Sequence, residues 1–125
     1  MARVLLVDDH VDSLYVIARL LTLEGMEVVA ASSRREAMRL AGVERRCDVL
    51  VTDLGLPDGT GMDLLDDLAR LYPIPAIALT AHCEVEFLEM TRSPRFARHL
   101  LKPILAADLI KAVQEVCESR QACSG

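Results

Sequence analysis

Tryptophan is absent from this 125-residue chain, and two tyrosines and two phenylalanines bring the aromatics to only 3%. Stacking of bases on aromatic platforms, which carries much single-stranded nucleic-acid binding, is therefore disfavoured. Positive charge is also scarce, with 14 Lys and Arg against 19 Asp and Glu, a formal charge of -5 and a pI near 5.1. Nucleic acids and anionic membrane surfaces both call for a basic patch. The local group Arg92, Arg95 and Arg98 reads as a solvated face. Close cysteine pairs are missing too: Cys47, Cys83, Cys117 and Cys123 show no two-residue spacing and no histidine at metal-ligand distance in the sequence. They read as reduced thiols of an intracellular protein, Cys47 and Cys117 as small core residues. No apolar run is long enough to cross a bilayer, and Met1-Ala2-Arg3 leads straight into a short run ending in acids, unlike a signal peptide. The expected setting is cytoplasmic, or the cytoplasmic portion of a larger membrane-bound protein.

What the chain does have is aliphatic bulk. Apolar residues make up 52% of it, so the core must be built from Leu, Val, Ile, Ala and Met, as in helices packed on a sheet. A mass of 13.8 kDa suits one domain over residues 1–125, large enough to bury roughly two-thirds of the unfolded chain's surface.

The most informative stretch runs from Val49 to Gly61: a short apolar run, Asp53 at its end, then a turn rich in Pro and Gly. A buried strand that delivers one carboxylate into a loop fixes the backbone while leaving the side chain reachable. The same design recurs along the chain. Arg3 to Val7 reads as a strand buried on both faces and ends in Asp8-Asp9-His10. Asp12 or Ser13 then caps a helix to Glu24, stopped by Gly25. Met26 to Ala31 is a second strand; Ser33 and Glu36 form a capping box for a helix through Val43. Asp48 to Thr52 is the third strand. Thr60 caps a helix whose Leu64, Leu65, Leu68, Leu71 and Tyr72 share a face until Pro73. Ala76 to Leu79 is a fourth strand ending at Thr80. An irregular apolar pattern marks a short helix over Glu84 to Thr91. Phe96 to Leu101 is a fifth strand, followed by Lys102-Pro103, and Ala106 to Ser119 is a last helix before a frayed tail at residues 121–125.

Alternating strands and helices predict an α/β fold, a single doubly wound five-stranded parallel sheet with helices on both faces. Right-handed crossovers point every strand the same way, so Asp8, Asp9, Asp53, Thr80 and Lys102 all reach the crevice at the carboxyl edge. Three carboxylates there repel one another by several kcal/mol at close range unless a cation is present. An oxygen-rich acidic site suits Mg2+ better than zinc. A carboxylate beside Mg2+, an ammonium and a hydroxyl is equipped to take up a phosphoryl group.

These residues carry a family resemblance. Leu-Leu-Val-Asp8-Asp9-His10, Asp53-Leu-Gly-Leu-Pro57-Asp-Gly-Thr-Gly61, Leu-Thr80-Ala81 and Leu-Lys102-Pro103, in this order, resemble the receiver domain of two-component response regulators over essentially the whole chain. The resemblance implies a flavodoxin-like strand order 2-1-3-4-5. It implies Asp53 as phosphoacceptor for a histidine kinase or phosphotransfer histidine, with Asp8, Asp9, Asp53 and the Gly55 carbonyl on Mg2+. Thr80 becomes the switch hydroxyl and Lys102 the phosphate contact, with a cis peptide before Pro103 and Gly61 at positive φ. Asp12 and Asp58 read as cap and turn residues; His10, beside the acids, reads as a flank of the site rather than the alternative, a metal ligand, since the site prefers oxygen.

Two positions depart from the family pattern. His99 stands three residues before Lys102, where a Tyr or Phe switch residue is usual, and Arg95-Phe96 replaces a common Gly-Ala pair. His99 is then either the rotamer switch itself or the mark of an output that does not use one. The motifs look most like receivers of hybrid histidine kinases, with a stand-alone regulator as the alternative. A partner or dimer face is expected on the helix over 84–91, the fifth strand and the last helix. From another class, an aspartyl-nucleophile phosphatase is disfavoured, since that family places its nucleophile after the first strand with a second Asp two positions on.

Overall fold

The computed structural model describes residues 2–43, 47–80, 96–102 and 104–124. The short helix expected over 84–91, the Arg92 and Arg95 side chains and the peptide before Pro103 lie outside them.

Five strands form one parallel sheet: β1 (Arg3–Val7), β2 (Glu27–Ala31), β3 (Val49–Asp53), β4 (Ala76–Thr80) and β5 (Phe96–Leu101), in the order 2-1-3-4-5. Every residue of β1, β3 and β4 is buried, which explains why these strands read as unbroken apolar runs. Strand periodicity then sorts their side chains between two cores. Leu5, Val7, Leu50, Ala76 and Ala78 pack beneath α2 (Arg34–Val43) and α3 (Gly61–Ala69), where Ala37, Leu64 and Leu68 are fully buried. Val4, Leu6, Val49, Val51, Ile77 and Leu79 face α1 (Val11–Leu23) and α4 (Ala106–Ser124), with Leu21, Leu109 and Val113 between them.

Several boundaries differ from the sequence expectation, each for a local reason. His10, not Asp12 or Ser13, occupies the cap of α1, because its extended backbone lets its carbonyl accept from the Leu14 N–H at 2.9 Å. Gly25 ends that helix at φ +86, as the sequence suggested. The α3 helix stops at Ala69, so Leu71 is 52% exposed while Tyr72 turns inward and its hydroxyl accepts from the Cys47 N–H at 3.1 Å. The last helix runs through Ser124, so residues 121–124, expected to fray, have helical backbone. Cys47 is buried as expected; Cys117 is half-buried against the second core.

Candidate functional site

The carboxyl edge of the sheet gathers the predicted residues. Asp8 is the first residue beyond β1 and is fully buried; its N–H donates to the Ala31 carbonyl at the end of β2 (3.1 Å), and its Oδ1 accepts from the His10 N–H at 2.9 Å. Asp53, the last residue of β3, is 5% exposed. Lys102, just past β5, is anchored by its N–H on the Thr80 carbonyl at 2.6 Å and reaches back across the edge. Its Nζ lies 2.9 Å from Asp53 Oδ2 and 3.8 Å from Asp8 Oδ2. Thr80 closes β4, almost wholly buried, with its hydroxyl donating at long range (3.5 Å) to the Leu100 carbonyl. Asp9 sits at the exposed rim.

The carboxylates at this edge fit a hard divalent cation. Asp8, Asp9, His10 and Asp53 each offer one donor atom, all within 4.8 Å of one another. Asp8 Oδ2 is buried without a hydrogen-bond partner, a costly state for a carboxylate oxygen that one ammonium at 3.8 Å does not relieve. A cation in the crevice would. Gly55, whose carbonyl was expected to join the set, is exposed two residues beyond Asp53.

The loop after Asp53 is a small antiparallel ribbon, Gly55–Leu56 paired with Gly59–Thr60. Thr60 caps α3 reciprocally with Asp63: each side chain accepts from the other's backbone N–H at 3.1 Å. Gly61 does not have positive φ, contrary to the expectation; among the described residues only Gly25 and Gly59 do. It is glycine for want of space, since a Cβ there would stand 2.7 Å from the Asp53 carbonyl oxygen.

Sequence reasoning missed what holds the ribbon's tip. Asp58 accepts from the Arg34 and Arg35 N–H groups at 2.8 and 2.9 Å, capping α2 from 23 and 24 residues away. The Arg34 side chain continues past Gly59 to Asp67 of α3 at 2.7 Å. Turn chemistry in Pro57-Asp58-Gly59 was legible; a partner on another helix was not. The two α2 N–H bonds, Arg35's foremost, hold the Asp58 carboxyl below its ordinary 3.8. A depressed carboxylate stabilises the fold above its unfolded pKa, and the contribution is lost as pH falls through the lower folded value. Asp58→Ala is therefore expected to melt at lower temperature at neutral pH, with the gap to wild type narrowing as pH drops below 3.8. Parallel thermal melts giving a pH-independent gap would contradict this.

His99 is exposed on β5, its ring 5.7 Å from that of Phe96, and partial burial of the imidazole there lowers its pKa from 6.5.

A model of the response regulator receiver domain matches residues 4–114. The chain belongs to that family. The receiver is 33% identical over 118 residues to a 14.6 kDa protein of Leptolyngbya boryana, covering 91% of this chain and 88% of the other. It is 31% identical to the transcriptional regulatory protein GlrR of Escherichia coli, covering 94% of this chain but 26% of GlrR. Its fold superimposes on a response regulator receiver domain protein of Clostridium thermocellum with a TM-score of 0.89 at 30% identity, covering 98% and 99% of the two chains. A CheY-like receiver from Methanospirillum hungatei gives 0.87 at 25%, covering 98% of each. Receiver domains are the signalling modules of two-component systems, and the five-stranded flavodoxin-like order is theirs.

Proposed function

We propose that this receiver accepts a phosphoryl group on Asp53 from a phosphohistidine, in a Mg2+-dependent reaction, and passes on the signal by a change of conformation. The observation that carries the reading is the convergence of Lys102 Nζ on Asp53 Oδ2 at 2.9 Å beside a buried Asp8 whose Oδ2 has no hydrogen bond. Asp53 is the nucleophile. Its carboxylate displaces the donor imidazole at phosphorus, forming an acyl phosphate as the phosphorus–nitrogen bond breaks. Lys102 faces the charge of the transferring group, and Thr80 on the neighbouring strand end supplies a hydroxyl to a phosphoryl oxygen once transfer is complete. Asp8, Asp9, Asp53 and the Gly55 carbonyl are the residues that would hold Mg2+, whose part is to neutralise the phosphoryl oxygens.

The partner is a histidine kinase or a histidine phosphotransfer domain. Helix α1 exposes the apolar side chains Val11, Tyr15 and Val16, and Val16 borders the crevice. An open groove of about 370 Å3 runs from Asp8 and Lys102 past Val16 and Ile17, which supports donor approach on that side. Of the face first expected to bind partners or a second copy, β5 presents His99 to solvent. We place the module in the cytoplasm; among the described residues no helix is long and apolar enough to cross a membrane. A kinase core in the same reading frame makes it the receiver of a hybrid kinase, the reading the motifs suggested; without one it is a separate regulator. The named relatives include a transcriptional regulator, and the phosphatase alternative gains no support.

Incubation with acetyl phosphate and Mg2+ followed by intact mass tests the reading: one labile phosphate is expected, absent in Asp53→Ala and without Mg2+. A phosphate that persists in Asp53→Ala would refute it. Because Gly55 offers no side chain to shield the acyl phosphate from water, loss of phosphate from Asp53 is expected not to be exceptionally slow, and a half-life of many hours would contradict this.

A further inference from the structure

We infer that His10 turns the acidic crevice into a mixed nitrogen and oxygen metal site, which favours borderline first-row divalent cations over Mg2+ more strongly than carboxylates alone would. The inference rests on reading the crevice as a cation site and goes beyond it by naming a ligand and a selectivity.

The donors around the imidazole lie close enough together for one cation to bridge them. His10 Nδ1 lies 3.1 Å from Asp9 Oδ1 and 3.4 Å from Asp8 Oδ1, and donors from these residues and Asp53 all fall within 4.8 Å of one another. An octahedral ion with ligands near ~2.1 Å sets neighbouring donors about 3 Å apart and opposite donors about 4.2 Å apart. Independently, Asp8 Oδ2 is buried and lacks a hydrogen bond, so the pocket already contains an oxygen that a cation would satisfy. The backbone at His10 is fixed by the turn that shapes Asp8. The His10 N–H donates to Asp8 Oδ1 at 2.9 Å, and the extended backbone of this residue, φ -86 and ψ 102, opens α1. The side chain is 70% exposed, so Nε2 can be solvated while Nδ1 faces the carboxylates.

Chemistry then sets the selectivity. Mg2+ takes oxygen donors and parts reluctantly with water, whereas a neutral imidazole adds affinity for Co2+, Ni2+ or Zn2+ along the Irving–Williams order. The carboxylates serve either class of ion. The nitrogen tips the balance.

The test uses the full chain with CoCl2 and MgCl2 as probes. Calorimetric titration is expected to give a Co2+ to Mg2+ affinity ratio at least about tenfold higher in wild type than in His10→Ala, the loss of a direct ligand weighing no less than that of an outer-shell partner. His10→Asp, which restores an oxygen donor, should keep Mg2+ binding with the low ratio. Proton NMR of the Co2+ form should show a hyperfine-shifted imidazole resonance in wild type that both variants lack, a readout that survives even if one variant folds poorly. Equal ratios, or no shifted resonance in wild type, would overturn the inference. Equal ratios together with Mg2+-dependent phosphorylation of Asp53 would leave the proposed function standing and remove only the role of His10. Failure of both ions to bind would remove both.

Discussion

Gly61→Ala is expected to destabilise the receiver by about 1–3 kcal/mol and to slow phosphoryl acceptance on Asp53 more than the lost stability accounts for. The sign is informative, because at the first position of α3 an alanine would ordinarily help, glycine costing roughly 1 kcal/mol in helix propensity. Here the new Cβ would stand 2.7 Å from the Asp53 carbonyl oxygen, 3.1 Å from Thr52 Cγ2 and 3.3 Å from Leu54 Cα. Two of those three atoms are backbone at the end of β3, so relief must come by moving the strand end that carries the nucleophile. The Gly61 N–H also donates to the Leu54 carbonyl at 2.8 Å, tying the same segment together. Urea titration and the rate of acetyl phosphate labelling check the two halves separately. A variant as stable and as readily labelled as wild type would show that the strand end yields without cost.

Lys102→Ala is expected to move two properties in opposite directions. Phosphoryl acceptance should fall about 100-fold, the scale of removing one preorganised charge partner from a developing anion. Mg2+ affinity of the unphosphorylated protein should instead rise roughly tenfold, because the ammonium occupies the same well of negative potential that attracts the metal. The distances make the competition direct: Nζ stands 2.9 Å from Asp53 Oδ2 and 3.8 Å from Asp8 Oδ2, both on buried residues. Titration of Mg2+ by calorimetry and the labelling rate at saturating Mg2+ measure the pair. If Mg2+ binding weakened in the variant, Lys102 would be organising the metal site, and the electrostatic argument would be wrong.

Much of the site was readable from the chain because its parts stand at strand ends. A run such as Leu5-Leu6-Val7 followed at once by Asp8 declares both a buried strand and the point where it must surface, and the same signal repeats at Asp53 and Thr80. Bringing these ends together required no further information, because one sheet with right-handed crossovers has a single carboxyl edge. Legibility failed where a residue's reason lies in a partner remote in sequence. Gly61 looked like a conformational glycine because a clash with the Asp53 carbonyl leaves no trace in local pattern. Asp58 looked like a turn residue because the N–H groups it caps belong to α2. Leu71 looked like a core residue because helical spacing continued past Ala69, where the backbone had already left the helix.

The order of residue types along the chain therefore determined the alternation of strands and helices, the two-sided core and the identity of the acidic, hydroxyl and amine groups at one edge. These follow from periodicity and burial, which are local. Only the tertiary structure decided which oxygen Lys102 meets, that Asp8 keeps one oxygen without a hydrogen bond, that Arg34 joins Asp58 to Asp67, and that His10 turns its Nδ1 toward the carboxylates. Those are distances of a few ångströms, most of them between groups on different elements and set by how helices seat on the sheet, and no one-dimensional pattern contains them.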